Sequence, residues 1–384
     1  MTYSFTMPVR TLVGEGAIFS AKDSIEEMGK KAFIVTGKHV GASGAVSQLK
    51  EALSNWGIES CVFDEITGEP TNVMIEEGVS AYRQSASDFI IGIGGGSPLD
   101  SAKAIAAMSV LPGAIADYVG KEIQGDFPPM VLIPTTAGTG SESTKFSVIT
   151  DLKTQVKMLL RGDDMLPKLA IIDPLYALTA PKSVIAATGM DALTHAVEAY
   201  TSKKASTLTD LWALDAIKRI FTFLPISYKQ TEDKTAREEM AVAAYEAGIC
   251  INNSSVTLVH GMSRPIGALF HVPHGISNAM LIKECLSYAV DGCPERFATM
   301  AKTIGVAKES DSTETAINAF FTALGELMKL LEIPTLAEYG IDEGEFMQAA
   351  EKMAQDAVKS GSPGNTRKEI QVEDILIIYK KLWQ

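Results

Sequence analysis

Three of the chain's five histidines, His260, His271 and His274, fall in one stretch, HGMSRPIGALFHVPHG (260–275), among glycine, proline and Arg264. A second stretch, GMDALTHAVEAYTS (189–202), supplies Asp191 and His195. Four residues apart on a helix, these two share one face, and a carboxylate with an imidazole can bind one divalent cation. Taken alone, the plainer reading is a charge near a helix start and a core histidine. The second cluster changes that reading, because two pairs in one half of the chain can close around a single ion. His260 sits near the end of an apolar helical segment, and His274 follows a turn in VPHG. His271 competes with His274 for the fourth place, and spacing does not separate them. A mixed Asp/His set suits Fe(II), Zn(II), Mn(II), Co(II) or Ni(II), and affinity order does not choose among them.

A second kind of chemistry is written in IGIGGGSPLDSAKAIAAM (91–108): a strand, a glycine-rich turn, and a helix expected to start near Pro98. Gly94, Gly95 and Gly96 with Ser97 let a backbone approach a phosphate closely, and a helix N-terminus offers free N–H groups. The spacing is not that of the GxGxxG fingerprint. A plain strand-to-helix turn is the alternative. PTTAGTGSES (134–143), rich in glycine and small hydroxyl residues, follows another strand; it reads as a surface loop or as the lining of a cofactor pocket.

These segments need elements to position them. In the first half, short apolar runs at 31–37, 60–66, 88–96, 130–136, 146–150, 156–160 and 169–173 read as strands. Helical stretches fall at 40–56, 72–85 and from Pro98. Continuous apolar strands separated by helices predict a parallel sheet covered on both faces. After Pro174, helical periodicity takes over, at 183–201, 207–227, 234–251, 254–264, 275–290, 294–304, 313–331, 343–359 and 372–383. The expected organisation is an α/β domain over 1–177 and an all-α domain over 178–384.

Composition narrows the partners. A 384-residue chain exceeds one ordinary core. Its formal net charge of -13 argues against nucleic acid and anionic membrane surfaces, which both need a basic face. No apolar run reaches the length of a membrane span, and the N-terminal residues MTYSFTMPVR hold no apolar core of signal-peptide length. Cys61, Cys250, Cys285 and Cys293 are scattered without a CxxC pair, as expected of reduced thiols in a cytoplasm.

Together, GGGSPLDSAKAIA, PTTAGTGSE, GMDALTHAVEAY and HGMSRPIGALFHVPHG, in this order and spacing, resemble the iron-containing (group III) alcohol dehydrogenases over nearly the whole chain. The resemblance implies an N-terminal dinucleotide-binding α/β domain and a helical C-terminal domain, with the active site in the cleft between them. It implies Asp191, His195, His260 and His274 as metal ligands and makes His271 a pocket residue. It matches Gly94 to Ser97 to a pyrophosphate-binding turn. Thr135, Thr136 and Thr139 match contacts near the nicotinamide, and Lys157 matches a cofactor-contacting lysine. The implied reaction is hydride transfer between NAD(P)(H) and a small aldehyde or primary alcohol held at Fe(II), in a homodimer or larger homo-oligomer. A lyase of the dehydroquinate synthase type or a glycerol-type dehydrogenase shares this architecture, but the HGMSRP…VPHG spacing argues against both. The coenzyme-binding half also argues against a metal-storage or sensing protein, which needs none.

The chain departs from the family pattern at two positions. Arg264 replaces a histidine often linked to proton traffic, leaving His271 or water for that role. If Pro265 ends the helix, Arg264 lies near the mouth of the metal site, where its charge calls for an anion: a protein carboxylate, the coenzyme phosphate, or an acidic tail on the substrate such as that of a semialdehyde. Gly37 stands where NAD-specific members often carry Asp. With Lys38 beside it, acceptance of NADPH is expected alongside NADH; a simple turn glycine is the alternative.

Overall fold

The computed structural model of the chain describes residues 2–154 and 156–384. By contacts these fall into two compact units, Met1–Ala180 and Pro181–Gln384.

The first unit is built on a six-stranded sheet in the order β1-β8-β5-β4-β2-β3. Its strands are β1 (Arg10–Val13), β2 (Lys31–Val35), β3 (Glu59–Phe63), β4 (Phe89–Gly94), β5 (Met130–Pro134) and β8 (Leu169–Ile172). Every pairing in it is parallel. The helices are α1 (Lys22–Glu26), α2 (Lys38–Gly41), α3 (Gly44–Asn55), α4 (Asn72–Ser85) and α5 (Gly96–Val110). The two-residue period of the strands explains the layering. Phe33, Val35, Ile90 and Leu132 join one core with Ile75 and Val79 of α4 and Leu99 and Ile105 of α5. Their neighbours Ile34, Ile91, Ile93 and Ile133 join a second core with Leu49 and Leu53 of α3. Burial on both faces is why these strands read as unbroken apolar runs.

Two expectations are corrected and one strand, β1, is added. The runs at 146–150 and 156–160 do not enter the parallel sheet; β6 (Phe146–Asp151) and β7 (Val156–Arg161) pair antiparallel with each other. The connection between them is far shorter than the dozen or so residues a parallel crossover needs. The helix expected over 40–56 is broken, because Ser43 caps α3 by accepting from Ala45 N at 3.3 Å. The edge strand β1 is short and half-exposed, so it shows no apolar run.

The second unit is helical: α6 (Lys182–Thr201), α7 (Thr207–Lys229), α8 (Lys234–Asn253), α9 (Leu258–Phe270), α10 (His274–Ala289), α11 (Pro294–Thr303), α12 (Thr313–Leu330), α13 (Leu336–Tyr339), α14 (Glu343–Lys359) and α15 (Val372–Lys381). The helix α6 packs on α7, α8 and α10, and α9 packs on α10 and α14. No helix among the described residues is long and apolar enough to cross a membrane. The helix expected to stop at 264 starts later and runs through Pro265 to Phe270. Pro265 donates nothing to the Gly261 carbonyl, yet packing holds the helix on both sides of it.

Candidate functional site

In the helical unit, Asp191 and His195 lie one turn apart on α6, His260 lies on the first turn of α9, and His274 opens α10. One ligand atom from each falls within 4.8 Å of the others. The Nε2 atoms of His195, His260 and His274 lie 3.9, 3.7 and 3.7 Å from Asp191 Oδ1. Two donors that share an ion, each about 2.1 Å from it, sit at most about 4.2 Å apart, so these distances suit a common cation. Asp191, His195 and His260 are buried; His274 is the half-exposed member.

The surrounding polar groups fit a cation. Asn278 Nδ2 donates to Asp191 Oδ1 at 2.7 Å and lies 3.2 Å from both His260 Nε2 and His274 Nε2. His195 Nδ1 and Asn278 Oδ1 are buried without a hydrogen-bond partner. Burial, reinforced by His195, pushes the His260 imidazole well below its ordinary pKa, which keeps it neutral and able to donate a lone pair. Burial works to raise the Asp191 carboxyl, but the three histidines and Asn278 outweigh it and hold it below the usual range.

His271 is not brought to this cluster. It is exposed and caps the C-terminus of α9 in a left-handed conformation, φ 54°. Arg264 points its guanidinium at Ser362 Oγ, 3.0 Å away. Burial lowers its pKa, and the opposing charge that reaches it is Glu198.

In the α/β unit, α5 begins at Gly96, two residues before Pro98, with Gly95 as an N-cap that offers no side chain. The first-turn N–H groups are therefore open to an anion. Gly94 has φ 150°, and a Cβ there would meet Pro98 Cγ at 2.7 Å. A Cβ on Gly96 would meet Thr139 Cγ2 at 2.8 Å. Thr135 N donates to Gly94 O at 2.8 Å. The structure thus brings Gly94–Ser97 together with Thr135, Thr136 and Thr139. Lys157 lies on β7, with Nζ 2.7 Å from Glu69 Oε1. Gly37 precedes α2, and a Cβ there would meet the Ile66 carbonyl oxygen at 2.7 Å. Lys38 Nζ pairs with Glu65 at 3.0 Å.

The profile of the family described as "Iron-containing alcohol dehydrogenase" matches residues 8–174, and "Fe-containing alcohol dehydrogenase family, C-terminal" matches residues 185–383. The chain belongs to the iron-containing alcohol dehydrogenase family. It is 34% identical to the NAD-dependent methanol dehydrogenase of Bacillus methanolicus, over 98% of this chain and 99% of that one. It is 35% identical to the lactaldehyde reductase of Escherichia coli (strain K12), over 96% and 97%. Among solved structures, a 1,3-propanediol oxidoreductase superposes with a TM-score of 0.96 at 34% identity, covering 100% of both chains.

Several polar groups of this iron-containing alcohol dehydrogenase were not singled out from sequence. Beneath the glycine turn, Asp100 accepts from Ser141 Oγ at 2.6 Å and Val148 N at 2.8 Å. The fully buried Lys103 donates to Thr144 Oγ1 at 3.0 Å and Phe146 O at 2.8 Å. Burial pulls the Lys103 amine down to about 8 and pushes the Glu142 carboxyl up to about 7. These bonds tie the first turns of α5 to the loop that carries Thr139. In the helical unit, the missed groups are Asn278 and Glu198. The available signal was local: Glu198 follows Ala196 and Val197 and precedes Ala199 on α6, and Asn278 stands between Ser277 and Ala279 on α10, each a charged or amide side chain among small or apolar neighbours.

Proposed function

We propose that Asp191, His195, His260 and His274 hold one divalent cation, Fe(II) by family or otherwise Zn(II), Mn(II), Co(II) or Ni(II), and that the protein interconverts a small aldehyde and its primary alcohol with NAD(P)(H). The convergence of three imidazole Nε2 atoms on one buried carboxylate oxygen carries this reading. Bound there, such a cation supplies Lewis acidity toward a carbonyl oxygen, and the nicotinamide supplies hydride. The chain's own residues hold and orient. Asp191 contributes the one formal negative charge of the set, and Asn278 fixes its oxygen. Gly94, Gly95, Gly96 and Ser97 present the N-terminus of α5 to the coenzyme pyrophosphate. Thr135, Thr136 and Thr139 offer hydroxyls on the nicotinamide side, and Lys157 a charge. His271 serves as an exposed pocket residue.

Arg264 is read as an internal counter-charge to Glu198, steadied by Ser362, in preference to an anchor for an acidic aldehyde. NADPH is accepted beside NADH; the absence of a carboxylate at Gly37 and the exposed Lys38 support this. A cytoplasmic homodimer or larger homo-oligomer fits the four free cysteines and the family resemblance. The test is anaerobic oxidation of NADH and NADPH with a panel of small aldehydes, on metal-stripped protein before and after one equivalent of Fe(II). Turnover restored by the metal is the expected result. Equal turnover with and without metal would overturn the reading.

A further inference from the structure

Glu198 has no part in the reaction as described, yet it is the most heavily engaged carboxylate beside the cluster. It stands on α6, its side chain fully buried. Its Oε1 accepts from Thr257 Oγ1 at 2.7 Å and from Val259 N at 2.6 Å. Its Oε2 lies 2.6 Å from His260 Nδ1. The first N–H groups of a helix have no partner inside it, and the Thr257 hydroxyl does not cap its own helix. A carboxylate from α6 therefore caps α9 and grips the ring of the third residue of that helix.

The pattern of donors decides where the ring proton sits. Val259 N–H is a fixed donor, and the Thr257 hydroxyl donates too, so Oε1 is committed to accepting. Burial raises the Glu198 carboxyl, and the donors at Thr257 and Val259 work against that; as a carboxylate it only accepts, which leaves Nδ1 of His260 as the donor to Oε2. The lone pair then lies on Nε2. The other side of the ring agrees, because Nε2 faces the amide donor of Asn278 at 3.2 Å.

We propose that Glu198 is a positioning residue that locks His260 in the Nδ1–H tautomer, so that its Nε2 lone pair is aimed at the cation site. The inference rests on the metal reading given above. A neighbour of this kind orients the ligating ring and raises its basicity.

The isosteric substitution Glu198→Gln makes the inference sharp. Val259 N–H and the Thr257 hydroxyl demand the amide oxygen, which sends the amide NH2 toward Nδ1. Nδ1 must then accept, and the proton moves to Nε2, where it blocks ligation. The opposite amide orientation sets two donors against each other at Val259.

The experiment uses full-length wild type and Glu198→Gln, labelled with 15N-histidine, which leaves five imidazoles to assign. Long-range 1H–15N spectra of metal-stripped protein report the tautomer, and competition with a chromophoric chelator reports Zn(II) affinity. Wild type should show Nδ1–H at His260 and bind one Zn(II). The variant should show Nε2–H and bind about 10- to 100-fold more weakly. If wild type takes up no Zn(II), the metal reading fails and this inference falls with it. If wild type binds tightly while the variant keeps the Nδ1–H form and binds within twofold, the inference alone is overturned. Should the variant not fold, an Nε2–H ring at His260 in metal-stripped wild type overturns it and an Nδ1–H ring supports it.

Discussion

Replacing Glu142 by Gln should remove a pH dependence from the α/β unit. Glu142 is 2% exposed, and one of its carboxyl oxygens has no hydrogen-bond partner. Burial raises its pKa from 4.5 to about 7, against the opposing effects of its backbone amide and Lys103. Below pH 4.5 the folded and unfolded chains both carry the proton. Between 4.5 and about 7 the unfolded chain releases it first, so the folded state holds more protons and stability falls as pH rises. That shift corresponds to about 3 kcal/mol, at about 1.4 kcal/mol per pH unit. Glutamine fills the same space and cannot ionise, so the stability of wild type relative to Glu142→Gln should drop by about that amount between pH 4.5 and pH 7.5. Lys103 adds the opposite slope only above about pH 8, so the window is clean. Trp56 is the only tryptophan of the α/β unit; Trp212 and Trp383 belong to the helical one. Urea unfolding followed by Trp56 fluorescence, in a Trp212→Phe/Trp383→Phe background, therefore reports the right unit. A gap between the two proteins that stays constant from pH 4.5 to 7.5 would refute the argument, because it would mean the Glu142 proton is not held by the fold.

His260→Ala and His274→Ala should each lose bound metal and activity, whereas His271→Ala should keep stoichiometric metal; elemental analysis of the three purified variants checks this, and the reverse pattern for His271 and His274 would sink the ligand assignment. Arg264→Gln should depress kcat/KM for propanal, lactaldehyde, succinic semialdehyde and sulfoacetaldehyde alike, and a selective loss with the two acidic aldehydes would restore the anchor reading. Glu65→Gln should shift the kcat/KM ratio a few-fold toward NADPH by releasing Lys38 from its partner. The more obvious Gly37→Asp is a poor probe, because its Cβ would collide with the Ile66 carbonyl.

How much was legible in the sequence follows the range of each interaction. β2, β4 and β5 announced themselves because both their faces are buried, and the glycine turn because three consecutive glycines, Gly94 to Gly96, join the end of β4 to the start of α5. β6 and β7 were assigned to the wrong sheet because an apolar run carries no information about its partner. The ligand types and the Asp191–His195 spacing could be read, since one helical turn relates them. The choice between His271 and His274 could not, because it depends on a left-handed residue ending α9 and a new helix starting three residues on. Glu198 and Asn278 were hidden for another reason: their partners lie far away in the chain, on other helices.

The proposed ligands also bear on how the helical unit comes apart. Asp191 and His195 belong to α6, His260 to α9 and His274 to α10, and α7 and α8 intervene in the chain between the first pair and the second. A cation bound to all four would act as a removable cross-link, closing one long loop and one short one at a single point. Its binding free energy would count as folding free energy for these helices, rising with the concentration of free metal. The glycine turn between β4 and α5 lies outside those loops, so the hold of such an ion would be confined to the unit that carries the four residues.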